Sequence, residues 1–181
     1  MSDRLEVSES ALLLIDWQER LFPAMPEGVR ESALNAAMNL RWLAGELGLP
    51  VLVSEQYPRG LGSTLPQLAG SPTIEKISFS AMREPAFADA LGALSPRRDV
   101  LLSGMETHIC VAQTARDLSA DGYRVWLIAD ACLSRRKLDW RLGLERAVAD
   151  GCRVVSAEAA LFELVGRAGT PLFKELSKRI R

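Results

Sequence analysis

The chain has 181 residues, with 22 basic and 23 acidic side chains, one histidine and three cysteines. One domain of this size buries about 70% of its unfolded surface, so a core forms without disulfides or a structural metal. A hydrophobic share of 48% with 25% charged residues is that of a globular chain rather than a disordered one. Near-neutral charge argues against a nucleic-acid partner, which needs clustered Lys and Arg. No apolar run approaches the ~18 residues of a membrane span, and a charged N-terminus without an apolar leader points to the cytoplasm. Three widely spaced cysteines and a single histidine exclude a disulfide framework and a three-histidine metal site.

Apolar runs alternate with amphipathic stretches along the chain. Ala11-Leu12-Leu13-Leu14-Ile15 is continuous and apolar, the pattern of a strand buried on both faces. Residues 29–47 read as a helix with Leu34, Met38 and Trp42 on one face, ended by Gly48 and Pro50. Val51-Leu52-Val53 is a second strand and Thr73-Ile74-Glu75-Lys76 a third, separated by a Gly- and Pro-rich stretch over residues 55–72. So long a connection reads as the wall or lid of a site. A fourth strand over residues 99–102 leads into a helix over 108–120 with Val111, Ala115 and Leu118 inward. Residues 123–129 form a fifth strand, 137–150 a helix and 153–155 a sixth strand. Two helices close the chain at 157–165 and 171–180, the second with Thr170 as N-cap and Pro171 at its first position. The alternation predicts a single Rossmann-like α/β domain over residues 1–181, a three-layer α/β/α sandwich with a six-stranded, mostly parallel sheet.

In such a sheet, ligands bind beyond the carboxyl ends of the strands. The polar residues there are Asp16 after the first strand, Glu55 and Gln56 after the second, Lys76 ending the third and Asp130 ending the fifth. Gly104-Met105-Glu106-Thr107-His108-Ile109-Cys110 follows the fourth. Neither a dinucleotide-binding Gly-x-Gly-x-x-Gly nor a P-loop is present. Cys110 lies in a predicted first helical turn, where the helix dipole favours a thiolate nucleophile; its bland reading is a buried inert thiol. Cys132 and Cys152 have no such setting and are assigned to packing. His108 is two residues from Cys110, so the two side chains diverge on a helix and a direct pair is not expected. Asp16, after five apolar residues, is sparsely solvated; its pKa should rise and suit it as a base, although it equally suits a cap. Lys76 reads alone as a snorkelling lysine, but a long side chain could reach the centre from two strands away.

Taken together the motifs resemble those of the isochorismatase-like hydrolase family, in particular its isochorismatase domain-containing subgroup. They are Leu14-Ile15-Asp16-Trp17-Gln18-Glu19-Arg20, Ser54-Glu55-Gln56-Tyr57-Pro58-Arg59-Gly60-Leu61-Gly62, Glu75-Lys76-Ile77-Ser78-Phe79-Ser80 and the run from Gly104 to Thr114, with Ala129-Asp130-Ala131 and Pro171-Leu172-Phe173-Lys174-Glu175. The resemblance implies strand order 3-2-1-4-5-6 and an Asp16–Lys76–Cys110 triad that hydrolyses amides or related C–N bonds through a covalent cysteine intermediate. It also implies a cis Met105–Glu106 peptide and an oxyanion hole made by the Glu106 and Cys110 N–H groups. Gln18, Gln56 and Phe79 are the candidates for the substrate-binding wall. The expected ligand is a small molecule, with no cofactor and no metal, in a homo-oligomer. Where metal-dependent nicotinamidases of the family carry Asp-x-His, this chain has Ser54-Glu55-Gln56-Tyr57, and isochorismatases proper lack the cysteine. Two other readings fit the same residues: a binding protein that kept the fold, and noncovalent isochorismatase-type hydrolysis.

Overall fold

The computed structural model describes residues 4–180; residues 1–3 of the charged N-terminus and Arg181 lie outside them. In chain order the elements are β1 (Ser10–Ile15), α1 (Glu27–Leu47), β2 (Val51–Gln56), α2 (Pro58–Leu61), β3 (Thr73–Lys76), α3 (Pro85–Gly92), β4 (Asp99–Met105) and a π-helical turn (Thr107–Val111). There follow α4 (Ala112–Ala120), β5 (Arg124–Leu133), α5 (Lys137–Ala149), β6 (Arg153–Val155), α6 (Ala157–Val165) and α7 (Pro171–Arg179). The strands form one sheet in the order β3-β2-β1-β4-β5-β6, and every pair is parallel. No helix among the described residues is long and apolar enough to cross a membrane.

All six residues of β1 are buried, because the strand is central and both its faces are covered. Leu12 and Leu14 point to one face and join residues of α1, α6 and α7. Ala11, Leu13 and Ile15 point to the other and join residues of α3, α4 and α5. Each enclosed leucine contributes roughly 1.5–3 kcal/mol by leaving water. Gly104 marks the closest approach of the two central strands: at its φ of 156° a Cβ would collide with the Ile15 carbonyl oxygen. Only glycine lets β4 pass β1 there.

Several elements depart from the sequence reading. The buried face of α1 runs through Ala33, Ala37, Leu40 and Ala44 together with Leu34 and Leu43, while Met38 is 38% exposed. A short helix, α3, is set by Pro85 at its first turn and by buried Phe87 and Leu91, and was not anticipated. β2, β4 and β5 all extend beyond their apolar runs, into Gln56, Met105 and Leu133. Between the pairs Leu102↔Leu127 and Gly104↔Cys132, β4 advances two residues and β5 five, so β5 bulges beside the end of β4. The bulge is pinned by Ser103, whose hydroxyl donates to Ala131 O at 2.7 Å and accepts from Trp17 Nε1 at 3.1 Å. Asp130 lies in the bulge and caps α6, accepting from Ala157 N at 2.7 Å.

Candidate active site

Strand order brings the ends of β1, β3 and β4 to one edge of the sheet. Lys76 Nζ lies 2.8 Å from Asp16 Oδ2, with the two side chains 1% and 0% exposed. Lys76 crosses β2 to get there, and its stem is covered on the way. Its ammonium also donates to Gln56 Oε1 at 2.6 Å, Phe79 O at 3.0 Å and Ser78 O at 3.3 Å. Asp16 Oδ1 accepts from the Ser54 hydroxyl at 2.7 Å. Asp16 Oδ2, despite its closeness to Lys76, accepts no well-directed hydrogen bond among the described residues, so a lone pair remains open. Asp16 has a φ of 54°, a left-handed conformation that costs a non-glycine residue about 1–3 kcal/mol and turns the chain sharply at the strand end.

Cys110 is 6% exposed and belongs to the core cluster beneath α4. Its thiol faces the Asp16 carboxylate closely enough to couple their ionisation, and lies 3.9 Å from Gln56 Oε1. The turn that carries it is π-helical, closed by Val111 N donating to Glu106 O at 3.2 Å. Helix α5 packs backbone to backbone against this turn. A Cβ on Gly143 would stand 2.9 Å from both Cα and N of His108. The Met105–Glu106 peptide preceding the turn is cis. The Glu106 carboxylate accepts from both N and Nε of Arg135 at 3.0 Å.

The electrostatics correct one expectation. A helix N-terminus was expected to favour the thiolate, but burial and the neighbouring Asp16 charge push the Cys110 pKa up to about 12, against a smaller opposing pull from Lys76. Burial likewise raises the Asp16 pKa above 3.8, opposed by Lys76, Ser54 and the thiol. At neutral pH the Cys110 thiol is therefore neutral, beside the close Asp16–Lys76 pair. Cys132, enclosed against Leu102 O, and Cys152 are also pushed up, to about 12 and about 11, chiefly by burial, with a smaller push from Asp130 and Asp150 respectively.

The structure brings Asp16, Lys76, Cys110 and Gln56 together and places other candidates elsewhere. Gln18 is fully buried: its amide accepts from Gln56 N at 2.8 Å and donates to Gln56 O at 3.0 Å and Gly62 O at 2.7 Å. It braces the loop instead of lining a pocket, because no part of its amide is left for a ligand. The Phe79 side chain is exposed and meets the cluster through its carbonyl. His108 is turned away, with Nδ1 3.0 Å from Ser134 Oγ. The stretch over residues 55–72 is a fixed wall, tied by Glu55 to Thr64 N and Oγ1 at 2.6 and 2.7 Å and by a Gln18–Thr64 bridge. The sequence reading missed Ser54, although a lone serine at the end of an apolar strand was its signal. A cavity of about 480 Å³ lies between Val29 and Ala33 of α1, the end of β5, and Lys137 and Trp140 of α5, and Asp16, Lys76 and Cys110 are not among its lining residues.

Comparison with known proteins places these features in context. The isochorismatase domain family matches residues 10–159. Isochorismatase domain-containing protein 1 of Danio rerio is 36% identical over 179 residues, 98% of this chain and 62% of its own length. Isochorismatase domain-containing protein 2 of Bos taurus is 37% identical over 180 residues, 98% of this chain and 86% of its own length. The chain thus spans about six tenths of the first of these relatives. Among solved structures, MAR1 ribonuclease of Caenorhabditis elegans superposes with a TM-score of 0.88 at 33% identity, covering 98% of this chain and 92% of that one. The YcaC gene product of Escherichia coli, described as an octameric hydrolase of unknown specificity, superposes at 0.92 with 21% identity, covering 99% and 91%.

Proposed function

The chain belongs to the isochorismatase domain family, and from that premise we propose that it is a metal-independent cysteine hydrolase of small amide-like C–N substrates. The observation that carries this reading is the buried cluster in which an ammonium, an open carboxylate oxygen and a thiol meet. Burial raises the pKa of both Asp16 and Cys110, which makes Asp16 a stronger base than a free carboxylate and leaves Cys110 in need of one. Proton transfer between them leaves the net charge of the cluster unchanged, and the burial penalty largely cancels across the step. Lys76 remains to hold whichever anion results.

In the first half-reaction the Cys110 proton moves to Asp16 and sulfur bonds to the substrate carbonyl carbon. The carbonyl electron pair becomes an oxyanion held by the Glu106 and Cys110 N–H groups. The intermediate collapses, the C–N bond breaks and Asp16 returns the proton to the departing nitrogen. In the second, Asp16 takes a proton from water, hydroxide attacks the thioester, the C–S bond breaks and the thiol regains its proton. Gln56 and Phe79 border the entrance. The unit responsible is the whole chain, residues 1–181, acting in the cytoplasm as a homo-oligomer; the octamer described for the E. coli neighbour supports the assembly.

A screen of small amides and carbamoyl compounds on wild type and Cys110→Ala tests the reading, with intact-protein mass spectrometry for the acyl adduct. RNA is the control arm, given the ribonuclease name of the C. elegans neighbour. The expected result is turnover and an adduct in wild type and neither in Cys110→Ala. Turnover by Cys110→Ala at the wild-type rate overturns the covalent route and favours noncovalent hydrolysis.

A further inference from the structure

Gln56 faces Lys76 across β2 and β3 as its registered strand partner, and its side chain ends between the ammonium and the thiol. Its amide has one possible orientation. An ammonium only donates and a carbonyl only accepts, so Oε1 must face Lys76 Nζ at 2.6 Å and Nε2 must face Ile77 O at 2.8 Å. The backbone that carries it is held on both sides by Gln18, through Gln56 N and Gln56 O. The carbonyl oxygen therefore stays 3.9 Å from Cys110 Sγ and cannot be exchanged for the NH₂ group.

Two consequences follow for the sulfur. A fixed lone pair beside it tolerates S–H and repels S⁻. The same oxygen also takes one of the three protons of Lys76, while Asp16 and the Ser78 and Phe79 carbonyls are other groups around the ammonium. The ammonium is thus shared among several acceptors, the Cys110 thiol among them. The charged groups acting on the thiol are Asp16 from the end of β1 and Lys76 from β3. On the thiol's own turn, His108 is bonded to Ser134, and Glu106 just before it to Arg135.

We propose that Gln56 is a positioning residue that keeps Cys110 protonated in the resting site, by presenting a fixed acceptor to the sulfur and competing with it for the protons of Lys76. The proposal rests on reading Cys110 as the nucleophile and extends it. In this arrangement the thiolate arises by transfer to Asp16, and Gln56 acts on that transfer through the thiol and Lys76.

The test is a pH titration of thiolate ultraviolet absorbance in the full chain, with the matching Cys110→Ala protein as the blank. It is run for wild type and Gln56→Leu and paired with iodoacetamide labelling read at each cysteine by peptide mass spectrometry. Gln56→Leu removes the acceptor and frees the Lys76 proton. The Cys110 titration should move down by at least one pH unit, a tenfold gain in thiolate at a given pH below it. Labelling should rise several-fold at Cys110 alone, with Cys132 and Cys152 unchanged. A coincident or upward-shifted titration overturns the proposal, as does equal acceleration at all three cysteines, which marks general loosening. If Gln56→Leu does not fold, Gln56→Met removes the same carbonyl while keeping the unbranched stem, and is held to the same outcomes. The titration needs no turnover, so its failure is distinct from that of the hydrolase reading, which Cys110→Ala kinetics decide.

Discussion

Replacing Lys76 with methionine keeps the length and most of the volume of the side chain and deletes the buried ammonium beside Asp16. In Lys76→Met the carboxylate is left with the Ser54 hydroxyl as its remaining short partner, enclosed and without a counter-charge. It responds by binding a proton, and its folded pKa rises further above the 3.8 of the free side chain. A carboxyl with a raised folded pKa contributes stability that is whole below the unfolded value and lost as pH rises towards the folded one. Each pH unit in that window costs about 1.4 kcal/mol. Breaking a buried ion pair by removing one partner costs ~3–5 kcal/mol, and this is the size of loss expected at neutral pH. Urea unfolding at pH 5 and pH 7 measures it: the variant should lose more stability between the two than wild type does, because Lys76 opposes the rise in wild type. Asp16→Asn/Lys76→Met, which has no charge to bury, should regain most of that loss at pH 7. The reasoning is refuted if Lys76→Met shows no greater pH dependence than wild type, or if the double variant is no more stable than the single one.

Gly143→Ala should destabilise by about 1–3 kcal/mol through overpacking and cut turnover far more than stability, since the added methyl presses on the turn bearing Cys110; wild-type urea midpoint and kcat together would contradict this. Cys132, with its pKa pushed from 9.0 to about 12, makes the fold sensitive to alkali. Its contribution is whole below pH 9 and falls by about 1.4 kcal/mol per pH unit above it, so melts of Cys132→Ala between pH 9 and 11 should decline less steeply than those of wild type. At neutral pH, iodoacetamide should label Cys110 more slowly than a small free thiol, given its raised pKa; faster labelling would mean the thiolate is already present at rest.

The sheet was legible because a buried parallel strand announces itself as an apolar run, and β1, β3 and β6 fall within a residue of their predicted places. The meeting of Asp16, Lys76 and Cys110 was legible for a related reason: Asp16 follows one of those runs and Lys76 ends another, both at the carboxyl edge of the sheet. What escaped was geometry that no residue pattern encodes. The π turn at Cys110 differs from an α turn by one residue of hydrogen-bond register, set by tertiary contact with Gly143 and not by the propensities of Thr107–Val111. The bulge in β5 depends on Ser103 and Trp17, residues far from it in sequence. Gln18 was a candidate for the substrate-binding wall, but Asp16 has a positive φ, the chain turns there, and the Gln18 amide is bonded to Gln56 and Gly62. Desolvation outweighed the helix dipole at Cys110, and burial at that position is a property of the whole packed layer.

The strand order has a consequence for how the site depends on folding. Asp16 and Lys76 belong to β1 and β3, on one side of the line between β1 and β4, and Cys110 follows β4 on the other. Proton acceptor and proton donor thus belong to different halves of the sheet, joined edge to edge where Gly104 passes Ile15. A half-formed sheet would hold an ion pair without a thiol, or a thiol without a base. Nucleophilic reactivity in this chain therefore reports on completion of the central β1–β4 seam, and a slight slip along that seam would disarm the cysteine while leaving each half intact.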